Sequence, residues 1–559
     1  METASPSLNG REAEDVVKYQ TVDLVKIILA LLLLAYLIIV RRHRRAGAPR
    51  PAGGNCRHAR AGRVFLAALA VLAMANYYHY GYFHTRYFNH GWLDKRAFLH
   101  LWDFYHYYVG AKYFDELGYD NLYNATVVAD AEDGARLAGV AEVRDLGAGG
   151  FLSRDEVLTR AGSVKARFSP RRWGEFGADI RYFTERLPPR AMAGILSDHG
   201  YNPTPAWNTT GSFLANLVPV EHLAVLALLD VALLLALFVT IGVSFGASTA
   251  LVAAIFFGIN GFSPFSITGG SFLRYDWLLG LVLCQCFLRR RRYASAGVAL
   301  AFASLVRVFP ALFLFGLATK ATIECVRHRA LPRRYVRLFG SFLAAAALLY
   351  GYGCLNARGT GAWREFAGKI AAHHRTLSAN SVGFTMVFFH DESWDDPVGF
   401  SNAYGPTAVA AEATLRRVKD AEARSRRGAF VFSTLSILAL GALAVTRLPD
   451  EEALAWGAVP VFMLLNLSNY YFAFLIVGAV AWHRSAGRRP GPLLLLVAAQ
   501  VCVLWIGASV DYALRATALS SLVFFLFVLA LLGTALLGNR KRIGRRLAAL
   551  GKGPSHLTP

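Results

Sequence analysis

Apolar runs of membrane-spanning length alternate with short basic connections along most of this chain, from residue 22 to residue 538. A helix rises about 1.5 Å per residue, so roughly 20 apolar residues cross a hydrocarbon core of about 30 Å. Spans are expected at 22–40, 63–78, 218–241, 247–261, 276–289, 294–308, 310–326, 338–355, 429–446, 453–468, 469–483, 491–508 and 517–538. Several are short, so the expected bundle has about 11–13 transmembrane helices. The predicted fold class is an all-α polytopic membrane protein whose large first external loop, 79–217, carries amphipathic helices lying on the membrane.

Composition supports that class, with 55% hydrophobic and only 17% charged residues among 559. Soluble chains carry about a quarter charged residues. A formal charge of +22 raises nucleic acid as a partner, but the basic residues cluster at span ends, at 41–63, 289–292, 327–337, 484–489 and 540–552. An external N-terminus places all five clusters in the cytoplasm, as the positive-inside rule requires. The bilayer is then the expected basic-face partner, no nucleic acid is expected, and the location is the inner (plasma) membrane. Arg416, Arg417, Lys419, Arg424, Arg426 and Arg427 fall on the outer side, in a long loop where the rule is weak. The run 22–40 has a mixed-charge N-flank and ends in Arg41 and Arg42, so it is expected to be a retained anchor and not a cleaved signal. Of six cysteines, Cys284 and Cys286 are two apart and the rest isolated, so neither a disulfide framework nor a metal site is expected. The chain divides into an anchor and basic loop (1–62), a membrane core (63–355), a second large external loop (356–428), C-terminal helices (429–538) and a basic tail (539–559).

The first external loop holds the densest candidate chemistry, LHLWDFYHYYVGAKYFDELGYDNLY at 99–123. Asp103, His106, Tyr107, Gly110 and Phe114 follow helical spacing on one face. An acid beside an imidazole suits acceptance of a proton from an incoming hydroxyl, and burial makes a carboxylate a better base. The plainer reading of Asp103 is a helix N-cap. Asp115 and Glu116 are placed to pair with Lys112, and Asp120 to bond locally in a turn. Arg274 and Arg307, at outer span ends, suit a lipid phosphate, which a guanidinium grips by two oxygens, although snorkelling towards water is the alternative for each. His373 and His374, beside Arg375, are further candidates, with a solvated basic patch as the alternative. Asp230 is the acid deepest in a span, and by default a functional suspect.

The segment HLWDFYHYYVGAKYF with GYDNLY, and the Ala/Gly-rich AGVALAFASLVRVFPALFLFG at 296–316, together resemble the GT-C superfamily of membrane glycosyltransferases, in its bacterial mannosyltransferase-like branch. The resemblance implies a polyprenyl-phosphate sugar donor and a glycan, glycolipid or protein acceptor. It further implies an external acid, here Asp103, as base, and Arg307 at the donor phosphate. Many relatives carry two adjacent acids in this loop, whereas Asp103 is flanked by Trp102 and Phe104. No cofactor is called for, and no phosphate-binding glycine loop is visible. A transporter or flippase of lipid-linked saccharides, or a non-catalytic envelope assembly protein, are the rival readings. The chain shows no internal repeat of the kind common in transporters.

Overall fold

The computed structural model describes residues 10–45, 55–83, 93–94, 99–375, 380–389, 406–485, 490–510 and 513–550. The side chains of Asp94, His373 and His374 lie outside the described residues, as do Arg50, Arg488, Arg489 and Lys552. Among the described residues, eight helices are long and apolar enough to cross a membrane: Asp23–His43, Arg60–Tyr78, Val220–Phe245, Phe309–His328, Arg333–Tyr352, Ser425–Val445, Gly491–Ser509 and Arg515–Leu537. The protein is an all-α polytopic membrane protein.

The other five expected spans coincide with shorter pieces. These are Ala247–Gly258, Asp276–Arg289, Tyr293–Val306, the broken pair Asp450–Ala455 and Ala458–Leu464, and the 3-10 turn Asn469–Phe474 leading into Leu475–Ser485. Burial explains why they can be short. The long helices expose apolar residues such as Val239, Leu348 and Phe432, whereas Leu475–Trp482 is buried throughout. Broken backbone is tolerated at membrane depth where protein surrounds it and satisfies its polar groups. Close packing also needs small residues: a Cβ on Gly297 would lie 2.2 Å from the carbonyl oxygen of Leu338, so only glycine lets those two helices touch.

Residues 101–217 form one compact unit. The helices Leu122–Glu132 and Pro170–Arg186 turn their apolar faces onto a shared aromatic core that includes Tyr105, Tyr113, Phe176 and Phe183. The amphipathic character is therefore spent inside the unit. Helix Gly361–Arg375 docks on it through Tyr119 against Phe366, and through Lys369, which donates to the carbonyl of Leu146 at 2.9 Å. The two large polar regions thus share one face. Beyond it, 406–445 is a single helix, Pro406–Val445, and not the loop expected up to 428. Arg41, Arg63 and Arg484 meet around a cavity at the opposite end of the bundle, where Arg290 also caps the carbonyl of Val243. Helix Asn55–Phe83 gives the scale: Arg63 lines that cavity, and Tyr77, 14 residues or about 21 Å further on, bonds Tyr275 on the polar face.

Candidate functional site

The segment after His100 is anchored before it becomes helical. The His100 amide donates to the carbonyl of Gly270 at 2.9 Å, and its Nδ1 accepts the Asp103 amide at 3.2 Å. His100 is therefore the N-cap, which leaves the Asp103 carboxylate free of capping duty. The helix then widens into a π turn over Tyr105–Val109. Such turns shift the register of everything that follows and recur at functional sites. Gly110 closes the turn with a close approach, since a Cβ there would meet the Tyr201 ring at 2.4 Å.

Arg274 comes from the connection before helix Asp276–Arg289. Its amide and that of Tyr275 donate to one oxygen of Asp230, at 2.7 and 3.2 Å. Trp277 Nε1 donates to the Arg274 carbonyl at 3.0 Å. Leu273 just before it has φ of 50°, a left-handed conformation that a branched side chain resists, and these bonds hold it. Asp230, the suspect intramembrane acid, thus fixes the backbone that presents Arg274.

The Arg274 guanidinium reaches Asp103 at 3.1 Å, with the two side chains 7% and 11% exposed. It stacks 4.3 Å from the Tyr470 ring and lies 5.8 Å from that of Tyr107. Arg307, extended at the end of helix Tyr293–Val306, stands 5.7 Å from the Tyr107 ring and 5.6 Å from that of Trp207. Both guanidinium groups therefore border the Tyr107 ring. The Asp276 carboxylate acts electrostatically on Arg307. The Nε atoms of both arginines are buried without a partner among the described residues. Buried cationic donors left unmade are costly, and an anion with several oxygens would satisfy both.

His106 is not part of this pair of cations. Its Nδ1 lies 3.0 Å from the Trp102 carbonyl and its Nε2 2.8 Å from the Tyr123 hydroxyl. Burial lowers its pKa against the opposing charges of Asp198 and Asp103, so the ring is neutral at pH 7, with Nδ1–H donating and Nε2 accepting. Asp198 accepts from Trp102 Nε1 at 3.1 Å. Burial pushes its carboxyl up, but His106, His199 and the hydrogen bonds outweigh that and hold it below the usual value. His106 braces the turn.

Of the other acids, Lys112 pairs with Asp179 at 2.7 Å and not with its helix neighbours. Glu116 turns to Arg172 at 2.7 Å, and Asp115 accepts the Ala357 amide at 3.0 Å. Asp120 faces Lys369 at 3.7 Å. The structure thus brings Asp103, Tyr107, Arg274 and Arg307 together and places His106 behind them. Sequence reasoning missed Asp276, Trp207 and Tyr470. The paired tyrosines of NYYF at 469–472, opening an apolar run, were the available signal for the last. No family model matches the chain, and no curated protein or solved structure matches it.

Proposed function

We propose that this multi-pass membrane protein is a glycosyltransferase of GT-C type, moving a hexose from a polyprenyl-phosphate donor to an envelope glycan, glycolipid or protein. The active face is the external one, in the plasma membrane. One observation carries the reading: a buried carboxylate, Asp103, touches one of two arginines whose Nε donors lack partners among the described residues. A phosphate ester and a hydroxyl are the groups such a site handles. In the reaction, Asp103 takes the proton of the acceptor hydroxyl as its oxygen bonds the anomeric carbon. The bond from that carbon to the phosphate oxygen breaks, and Arg274 and Arg307 hold the departing lipid phosphate. Tyr107 offers its ring to both guanidinium groups, and His106 positions the turn that carries Asp103 and Tyr107.

With Arg274 paired to Asp103, the carboxylate is engaged before donor arrives. An arriving phosphate draws Arg274 away and leaves Asp103 available, so donor binds before the base acts. The test is transfer from a panel of radiolabelled polyprenyl-phosphate hexoses by the purified protein, with Asp103→Asn beside it. Label appearing in acceptor with the parent protein and not the variant supports the reading. Movement of intact lipid-linked saccharide across vesicles without glycosidic cleavage points instead to a flippase, and neither activity to an assembly protein.

A further inference from the structure

We infer a binding site for an anionic phospholipid of the bilayer at the basic end of the bundle, remote from Asp103. A cavity of about 430 Å³ opens there among Arg41, Arg63 and Arg484. That volume falls within the range of about 300–1,000 Å³ typical of small-molecule sites. No carboxylate lines it among the described residues, so three cations face one space without a counter-charge. The Arg41 Nε is buried and has no partner among the described residues.

A second set of donors points into the same space. Helix Ala247–Gly258 begins at its wall, after Gly246 with φ of 94°. The amides of Thr249 and Ala250 turn back to the Gly246 carbonyl, while those of Ala247 and Ser248 have no partner among the described residues. Free amides and the positive end of the helix dipole favour a phosphate there. Guanidinium groups add charge-assisted bonds to its oxygens.

The rest of the wall selects a lipid over a free ion. Tyr36, Leu37, Val40 and Leu494 give it an apolar side. Beside it, Ile38, Ile39, Val64 and Phe65 are exposed on the helices that carry Arg41 and Arg63, a surface for acyl chains. Basic pockets between membrane helices hold lipid headgroups in this way.

The full chain in detergent tests this by native mass spectrometry and thermal unfolding with dioleoyl phosphatidylglycerol, dioleoyl phosphatidylcholine or inorganic phosphate. Phosphatidylglycerol is expected to bind and raise the Tm, with the other two much weaker. Each arginine near an anionic headgroup is worth about fivefold in affinity, so Arg41→Gln, Arg63→Gln and Arg484→Gln combined should weaken binding on the order of 100-fold. Ser248→Trp fills the cavity without removing charge and should also abolish binding, and it decides the matter if the triple variant does not fold. Arg327→Gln with Arg329→Gln, basic residues that do not line the cavity, should leave binding unchanged. Equal binding of phosphatidylcholine, saturation by inorganic phosphate alone, or undiminished phosphatidylglycerol binding by Ser248→Trp would each overturn the proposal.

Discussion

Asp103 and Arg274 are each other's counter-charge in a nearly dry site, so a double-mutant cycle separates chemistry from scaffolding. Removing one partner of a buried pair leaves a bare charge and costs about 3–5 kcal/mol. Asp103→Asn and Arg274→Gln should therefore each lower the Tm by several degrees in detergent. Combining them removes both charges, and most of that loss should return. Activity should behave differently. General-base catalysis contributes about 10²–10⁴-fold, so Asp103→Asn should cut transfer from a polyprenyl-phosphate hexose by that factor. The double variant, though restored in stability, should stay as inactive as Asp103→Asn, because the proton acceptor is still missing. Thermal unfolding and single-turnover transfer on the same preparations make the comparison. A double variant that recovers both stability and transfer would reduce the pair to a structural ion pair and remove Asp103 from the chemistry.

Other consequences are as specific. Asp230→Ala releases the amides of Arg274 and Tyr275, so the KM for donor should rise more than kcat falls, measured over a donor titration. Gly110→Ala drives a methyl into the Tyr201 ring and should cost about 1–3 kcal/mol by urea or thermal unfolding. Burial depresses the His106 pKa below its ordinary 6.5, so the unfolded chain takes up that proton first. Its contribution to stability is then complete above about pH 6.5 and lost as the pH falls through the folded value. His106→Gln should flatten the drop in Tm between about pH 7 and pH 5.5, and an unchanged slope would show that His106 is not its source. Cysteines at Ala148 and Arg329 should react with an impermeant maleimide from opposite sides of sealed vesicles, and labelling from the same side would sink the topology.

Much of the membrane plan was legible because it depends on local chemistry: apolar length marks the long helices, and basic clusters mark one face. The short buried helices at 276–289 and 475–485 were also found as apolar runs, but their length concealed that they are core pieces. Arg274 and Arg307 stood out because a cation at an outer span end is conspicuous in sequence. His106 lies three residues after Asp103, yet its ring meets the Trp102 carbonyl and the Tyr123 hydroxyl, contacts that spacing alone does not reveal. Lys112 has acids at helical spacing, yet it pairs with Asp179, distant in sequence and nearly buried. Asp230 stands out as an acid within a span, but that it holds the backbone turn at Arg274, and that Asp276 acts on Arg307, only the tertiary fold reveals.

The proposed transfer gives the Asp103–Arg274 pair a use that docking the loop does not. Buried ion pairs are weak sources of stability, and apolar groups of similar volume often serve as well or better. Here the loop is already fastened to the membrane core without it. The His100 amide binds the Gly270 carbonyl, Phe104 stacks on Phe272 at 6.1 Å, and Tyr107 and Phe272 each meet Trp207 edge-on. With those contacts in place, a charge pair adds little to the joint between loop and core. It adds a cation that can change partners, since among the described residues Arg274 has one anion at hand and an Nε donor without a partner. A phosphate offers that cation more oxygens than one carboxylate does. Under the proposed transfer, the exchange releases Asp103 only when donor is present, which ties deprotonation of the acceptor to the presence of a leaving group.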